Sequence, residues 1–307
     1  MNIMLAPDGP LDAAATLARY HLWGDDPANR VTGDVFRRVL RLDARLVPYE
    51  VRCRGPVDDA RLAVRVPGAR GARVADAVTA EVRQVFGLDF DLPGFYRFAK
   101  SEPALAELIE PFYGMRPTLA PTPLEMLVGS ITAQQVNLSF AFACRARLVR
   151  RWGTPLALGR DTVWAFPDAA ALARAPVRAY RALKYSGRKA EYIRGVAAAV
   201  DSGALDLDAL ARAPSEEVCA RLTALRGLGR WTADWFLARC LGRGDVCPAG
   251  DLAVRKVFAR HWGRGRAPGE EAIRRRARAW GGWQNLAIHY LLAGLQRPRP
   301  TAGGGTA

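Results

Sequence analysis

Two hydrophobic rhythms divide the chain. Between Ala14 and about Lys100, apolar and polar positions alternate. Val35-Phe36, Val39-Leu40 and Leu42 lead into Arg45-Leu46-Val47-Pro48-Tyr49-Glu50-Val51-Arg52, and Ala60 to Val66 repeats the pattern. A period of two predicts at least three antiparallel strands, with Pro56, Asp58, Asp59 and Pro67-Gly68 supplying turns. Val74, Val78, Val82, Val85 and Phe86 then fall at helical spacing. Residues 14–104 therefore read as a small α+β domain behind an N-terminal tail, 1–13.

From Leu105 the rhythm is helical almost throughout. Pro123-Leu124-Glu125 opens a helix that carries Leu127, Ile131, Val136 and Phe140, with the segment ITAQQVN (Ile131 to Asn137) inside it. Trp164 to Asp168, followed by Leu172-Ala173, reads as a helix entry. Ala190, Ile193 and Ala197 mark a core face, beside which Arg188 and Lys189 read as a solvated face. Helices over Leu252 to His261, Glu270 to Trp280 and Trp283 to Leu295 follow, with a Gly/Pro-rich loop from Gly263 to Gly269. The fold class is mainly α: a helical domain over 105–296 after the small antiparallel-sheet domain. A Pro- and Gly-rich tail, 297–307, is expected to be disordered.

The stretch from Leu225 to Asp251 concentrates the chemistry. Val218, Leu222 and Leu225 precede two glycines, Gly227 and Gly229, and Trp231, Trp235 and Phe236 follow them. That is an amphipathic helix, a short turn and a second amphipathic helix. The glycines permit backbone angles closed to other residues and bring bare backbone to the surface. N–H groups at the start of the second helix, with its dipole, suit a phosphate. Further on, Gly250-Asp251 places a carboxylate at the start of the next helix, where Asp is also a favoured cap.

Composition narrows the partner. The formal net charge is +15 and the pI about 10.4, which favours a polyanion such as nucleic acid, although an Arg-rich composition alone gives the same excess. The chain has four lysines, at 100, 184, 189 and 256. The five cysteines are scattered without a C-x-x-C pair, so neither a zinc site, a disulfide framework nor an iron–sulfur cluster is indicated. No apolar run approaches the ~18 residues needed to span a bilayer, and the start has no signal-peptide pattern. A reduced, cytoplasmic protein acting at the nucleoid is expected, monomeric and without membrane contact.

The order of hairpin, "GRWTA", spacer and Gly-Asp resembles the helix-hairpin-helix DNA glycosylases of the HhH-GPD superfamily, and within them the alkylpurine (3-methyladenine II type, AlkA-like) branch. The likeness covers about Thr122 to Leu295. It implies a two-lobed, all-helical catalytic domain. It also implies a monofunctional enzyme that flips an alkylated base, such as 3-methyladenine, from damaged double-stranded DNA and hydrolyses its N-glycosidic bond. Asp251 is then the catalytic carboxylate, able to stabilise an oxocarbenium-like sugar or to orient and deprotonate water. Relatives that also cut the backbone use a Schiff-base lysine directly after G-x-G-x, and that position here is Trp231.

The same resemblance assigns the remaining site residues. Gln135 matches the wedge that fills the gap left by the extruded base, where the alkylpurine branch has an apolar residue. Trp231 and Trp235 are candidates to stack on a cationic base, and the third aromatic is open between Tyr290 and the position of Leu292. Gln134, Gly227, Gly229, Arg230 and Thr232 are expected to hold DNA. No cofactor is required; the backbone carbonyls of Thr223, Leu225 and Leu228 match those that bind a potassium or sodium ion in family hairpins. Two alternatives stay open: a glycosylase of the 8-oxoguanine type, and a non-catalytic helix-hairpin-helix DNA-binding protein in which Asp251 is only a cap.

Overall fold

The computed structural model describes residues 1–263, 266 and 268–295. The tail expected from residue 297 and part of the Gly263–Gly269 loop lie outside the described residues. The protein is mainly helical with a five-stranded antiparallel sheet near its N-terminus. Backbone contacts divide the chain into two units, Met1–Leu92 with Gly114–Gly242, and Pro93–Tyr113 with Arg243–Ala307. Among the described residues no helix is long and apolar enough to cross a membrane.

In the first unit the strands are β1 (Asn2–Leu5), β2 (Asn29–Thr32), β3 (Val35–Leu42), β4 (Arg45–Arg54) and β5 (Arg61–Arg65), ordered β1-β5-β4-β3-β2. The alternating pattern places Val47, Tyr49 and Val51 of β4 on one face, where they pack with Val74, Val78, Val82 and Val85 of the Ala72–Val85 helix. The first thirteen residues are a correction to the sequence reading. They are not a tail, because β1 pairs with β5 and the Met1 ammonium donates to the Val66 carbonyl at 2.7 Å. Arg116, fully buried, fastens the same region by donating to the carbonyls of Asp8, Pro10, Gly87, Leu88 and Phe90.

The helical region also contains a hairpin that the periodicity did not suggest, β6 (Thr154–Leu158) and β7 (Asp161–Ala165). Its apolar side chains Leu158, Val163 and Ala165 pack with Val39, on the face of β3 opposite Phe36 and Leu40. Five-residue strands carry little periodic signal, and Pro155 and Trp164 obscure it. The helix entry read over Trp164 to Asp168 is therefore corrected: Trp164 and Ala165 belong to β7, and the helix Ala169–Arg174 starts under an Asp168 cap.

A further correction concerns ITAQQVN. The helix Pro123–Ala133 stops at Gln134, and a new helix, Leu138–Trp152, starts under an Asn137 cap. Gln135 between them has φ +55°, a left-handed conformation that a non-glycine residue adopts only when its surroundings hold it there.

The start of the Pro123–Ala133 helix is anchored by a buried charge cluster. Arg38 of β3 donates to Glu81 at 3.1 Å, to Asn29 at 2.8 Å and to Glu125, and Tyr49 donates to Glu81 at 2.9 Å. Arg145 bridges Glu125 at 2.8 Å and Asp26 at 3.1 Å. Burial pushes Glu125 and Asp26 up, but for Glu125 the guanidiniums of Arg38 and Arg145 outweigh it. For Asp26, Arg145 and the Asn29 and Ala28 donors do so, and both carboxyls lie below the ordinary value. For Glu81 burial prevails over Arg38, and its carboxyl is raised. Such a cluster defines which elements meet more than it adds net stability, and removing one partner strands the others in a dry interior.

In the second unit the helices Pro103–Ile109, Leu252–His261, Glu270–Arg278 and Gln284–Leu295, with most of Leu92–Ala99, surround an aromatic core. Tyr290 and Tyr96 share a 2.7 Å hydroxyl hydrogen bond, and Phe95 packs on Tyr290 with centroids 5.0 Å apart. Arg276 of the basic Glu270–Arg278 helix lies over Trp262 and Trp280 and pairs with Glu102 at 2.7 Å. The strong amphipathicity of that helix thus has an aromatic seat.

The lowered Glu125 and Asp26 carboxyls make stability pH-dependent. Their contribution is complete above the unfolded carboxylate value of about 4 and disappears as pH falls through the lower folded values, while raised Glu81 acts oppositely. The melting temperature should therefore fall below pH ~4. Glu125→Gln should cost about 3–5 kcal/mol at pH 7 and less at pH 3. Calorimetry of both proteins across this range checks it, and a gap to wild type that stays constant with pH would refute the assignment.

Candidate functional site: a glycine-cornered hairpin and a capping carboxylate

The hairpin lies in the first unit and Asp251 in the second. Ser215–Thr223 and Arg230–Arg239 are its helices. The first is amphipathic as expected, burying Val218 and Leu222. The second is not: Thr232, Ala233, Asp234, Phe236, Leu237, Ala238 and Arg239 are all buried, so it is enclosed on nearly every side. The turn depends on Gly227, whose φ is +93° and where a Cβ would sit 2.2 Å from the Tyr192 ring. Gly229 is different. It is exposed with an extended backbone, and a Cβ there would meet nothing within 4 Å.

The other expected hairpin residues divide. Arg230 is largely exposed, and its Nε donates to buried Asp234 at 2.8 Å. Thr232 is 1% exposed, so its side chain and its backbone both belong to the interior. This corrects the sequence expectation, which rested on position at a helix start and not on the direction of the side chain. Thr223 ends the first helix and Leu225 and Leu228 follow it, and Leu225 O accepts from Leu228 N at 3.1 Å. A carbonyl oxygen has a second lone pair, and neutral oxygens suit a hard monovalent cation. Among the described residues no cluster of three His, Cys, Asp or Glu side chains could hold a metal.

Gln134 and Gln135 have separate placements. Gln134 Nε2 donates to the Gly227 carbonyl at 2.8 Å, tying this turn to the hairpin, whereas Gln135 is exposed beyond it. Behind Gln135 lies a cavity of about 230 Å³ lined by Thr132, Val136, Phe140, Cys144, Lys184 and Lys189, among others. Lys189, read from the sequence as solvated, donates to the Thr132 carbonyl at 2.8 Å. Tyr185 shares a 3.2 Å hydrogen bond with the Thr132 hydroxyl. Burial lowers the Lys189 ammonium below its ordinary value. Neither contact has a local signature, because the partners are more than fifty residues apart in the chain.

Asp251 is the N-cap of Leu252–His261. Its Oδ1 accepts from the amides of Ala253 at 2.8 Å and Val254 at 3.3 Å, and the side chain is half-buried, not in bulk solvent. Asp245 is exposed, which leaves it the weaker candidate. Trp231 and Trp235 are both half-buried, and Arg239 lies over the Trp235 ring at 5.4 Å. Tyr290 is in the core of the second unit, its hydroxyl bonded to Tyr96 and to the Phe112 carbonyl, while Leu292 is half-buried.

The chain is similar to known proteins in sequence and in fold. Residues 128–282 match the family described as HhH-GPD superfamily base excision DNA repair protein. Over 216 residues the chain is 30% identical to the DNA-3-methyladenine glycosylase of Bacillus subtilis, covering 70% of this chain and 71% of that one. Its fold matches the 3-methyladenine DNA-glycosylase of Archaeoglobus fulgidus with a TM-score of 0.84 and 27% identity, over 94% of this chain and 97% of that one. The apo 8-oxoguanine glycosylase/lyase of Clostridium acetobutylicum has the same fold at 15% identity, with a TM-score of 0.73 over 94% and 95% of the two chains. With the hairpin, the capping carboxylate and a match over half its length, the chain belongs to the HhH-GPD superfamily of base excision DNA repair proteins.

Proposed function

We propose that the protein is a monofunctional DNA glycosylase that removes alkylated bases such as 3-methyladenine from duplex DNA. The observation that supports this most strongly is the joint occurrence of the glycine-cornered hairpin and the half-buried N-cap carboxylate of Asp251, in a chain 30% identical to the DNA-3-methyladenine glycosylase of Bacillus subtilis. The hairpin turn at Gly227 and Gly229 and the Arg230 guanidinium meet the sugar–phosphate chain. A monovalent cation on the Thr223, Leu225 and Leu228 carbonyls would offset phosphate charge there. Gln135 enters the stack where the damaged base has left, and its amide can pair with the orphaned partner base.

Hydrolysis then needs little acid assistance. A base that carries positive charge leaves with the electron pair of the N-glycosidic bond and becomes neutral. Asp251, oriented by its two cap bonds, stabilises the positive sugar and accepts a proton from the water that adds at C1′. The products are a free base and an abasic site. Trp231 can stack on the cationic base; one face of Trp235 already carries Arg239, which makes Trp235 the weaker wall. With Trp231 where a lyase has its lysine, the backbone is left intact. The enzyme acts as a monomer, at the nucleoid of the cytoplasm.

Two measurements test this reading. On duplex DNA treated with a methylating agent, wild type should release 3-methyladenine without strand nicking until alkali is added. Asp251→Asn should lose release by at least ~10²-fold while binding DNA as before. Release unchanged in Asp251→Asn would remove the carboxylate from the mechanism, and alkali-independent nicking would overturn the monofunctional assignment. The glycines separate fold from binding. Gly227→Ala should lower stability by more than ~2 kcal/mol, from the ring clash and the left-handed backbone. Gly229→Ala should melt like wild type yet bind DNA more weakly, since its methyl group stands where a phosphate approaches; equal melting of the two variants would refute this account of the turn.

A further inference from the structure

We infer that Lys189 is a positioning residue: it locks the turn that carries Gln135 and so holds the wedge in its inserting conformation. This rests on the proposal that Gln135 fills the gap in the stack. The last carbonyls of a helix have no intrahelical partner, and a cation near them is favourable. Thr132 O is one of these, at the end of Pro123–Ala133, and Lys189 Nζ donates to it at 2.8 Å. The Thr132 hydroxyl is held as well, by the Val128 carbonyl at 2.7 Å and Tyr185 at 3.2 Å. Three residues further on, Gln135 has φ +55°, and Gln134 between them is fixed to the Gly227 carbonyl.

A left-handed glutamine costs on the order of 1 kcal/mol, so Gln135 stays there only if both flanks are fixed. The hairpin fixes one flank through Gln134. Lys189 and Tyr185 fix the other through Thr132. Lys189 lies in the first turn of the helix Gly187–Asp201, whose cap Ser186 accepts from the Lys189 amide at 3.2 Å. Tyr192, one turn along the same helix, is the ring that Gly227 packs against. One helix thus braces both the hairpin turn and the wedge turn, and Lys189 is the brace on the wedge side.

The test uses the full chain with Lys189→Met and Lys189→Arg. In the free protein, hydrogen exchange of the amides at 133–137 should rise about tenfold in Lys189→Met, with the melting temperature and exchange elsewhere little changed, and Lys189→Arg should restore protection. Single-turnover release from methylated duplex should fall about tenfold in Lys189→Met. Release from methylated single strands, which have no stack to wedge, should stay within about twofold of wild type. Unchanged exchange at 133–137 would overturn the inference, as would an equal loss on single and double strands, which would assign Lys189 to the DNA or to the bound base. If wild type releases no base from either DNA, the glycosylase reading fails, while the exchange result still decides whether Lys189 holds the turn.

Discussion

Gly227 has no room for a side chain. The Tyr192 ring fills the space where a Cβ would be, and the backbone turns through a left-handed conformation at that point. This contact sets the corner between the two hairpin helices. It leaves the Gly227 carbonyl facing Gln134, which seizes it. The hairpin, the turn at 134–137 and the helix Gly187–Asp201 therefore form one rigid patch within the first unit. In the proposed function this patch meets the sugar–phosphate chain, and such preorganisation helps because ordering it on binding would subtract from affinity.

Further from the patch, the same helix that ends at the wedge turn begins in the charge cluster around Glu125. Arg38 from β3 and Arg145 from Leu138–Trp152 meet on that carboxylate, and Asp26, Glu81 and Tyr49 complete the set. A dry interior makes a mispaired arrangement of these groups far more costly than the correct one. The N-terminal sheet therefore acts as a register for Pro123–Ala133: it fixes where the helix starts, and with it where Gln134 and Gln135 emerge. The β6–β7 hairpin covers the other face of β3 through Leu158, Val163 and Ala165.

In the second unit the Asp251 carboxylate holds the start of a helix. Capping bonds from Asp251 satisfy two amides at the start of Leu252–His261 and, by the same bonds, restrict the carboxyl to one orientation. An Asp at a helix start is by itself a weak sign of catalysis; in the proposed function the two cap bonds also orient the carboxyl for the reaction. In the same unit, Tyr290 is held in the aromatic core by the Tyr96 hydroxyl and the Phe95 ring.

What the amino-acid order determined on its own is local chemistry: alternation for β3, β4 and β5, helical spacing over Ala72–Val85, the cap at Asp251, and the two glycines of the turn. Each is written within a few neighbouring residues, at distances the backbone itself enforces. The missing lysine at 231 was equally plain, since an absent side chain needs no geometry. Tertiary structure alone decided which side chains oppose one another. It buried Thr232 and Asp234, broke ITAQQVN into a turn, drew the first residues into the sheet, and turned Lys189 from a presumed solvated residue into a brace on Thr132. Those outcomes depend on contacts between segments far apart in the chain, where steric fit and the cost of burying an unpaired charge select one arrangement that no local spacing encodes.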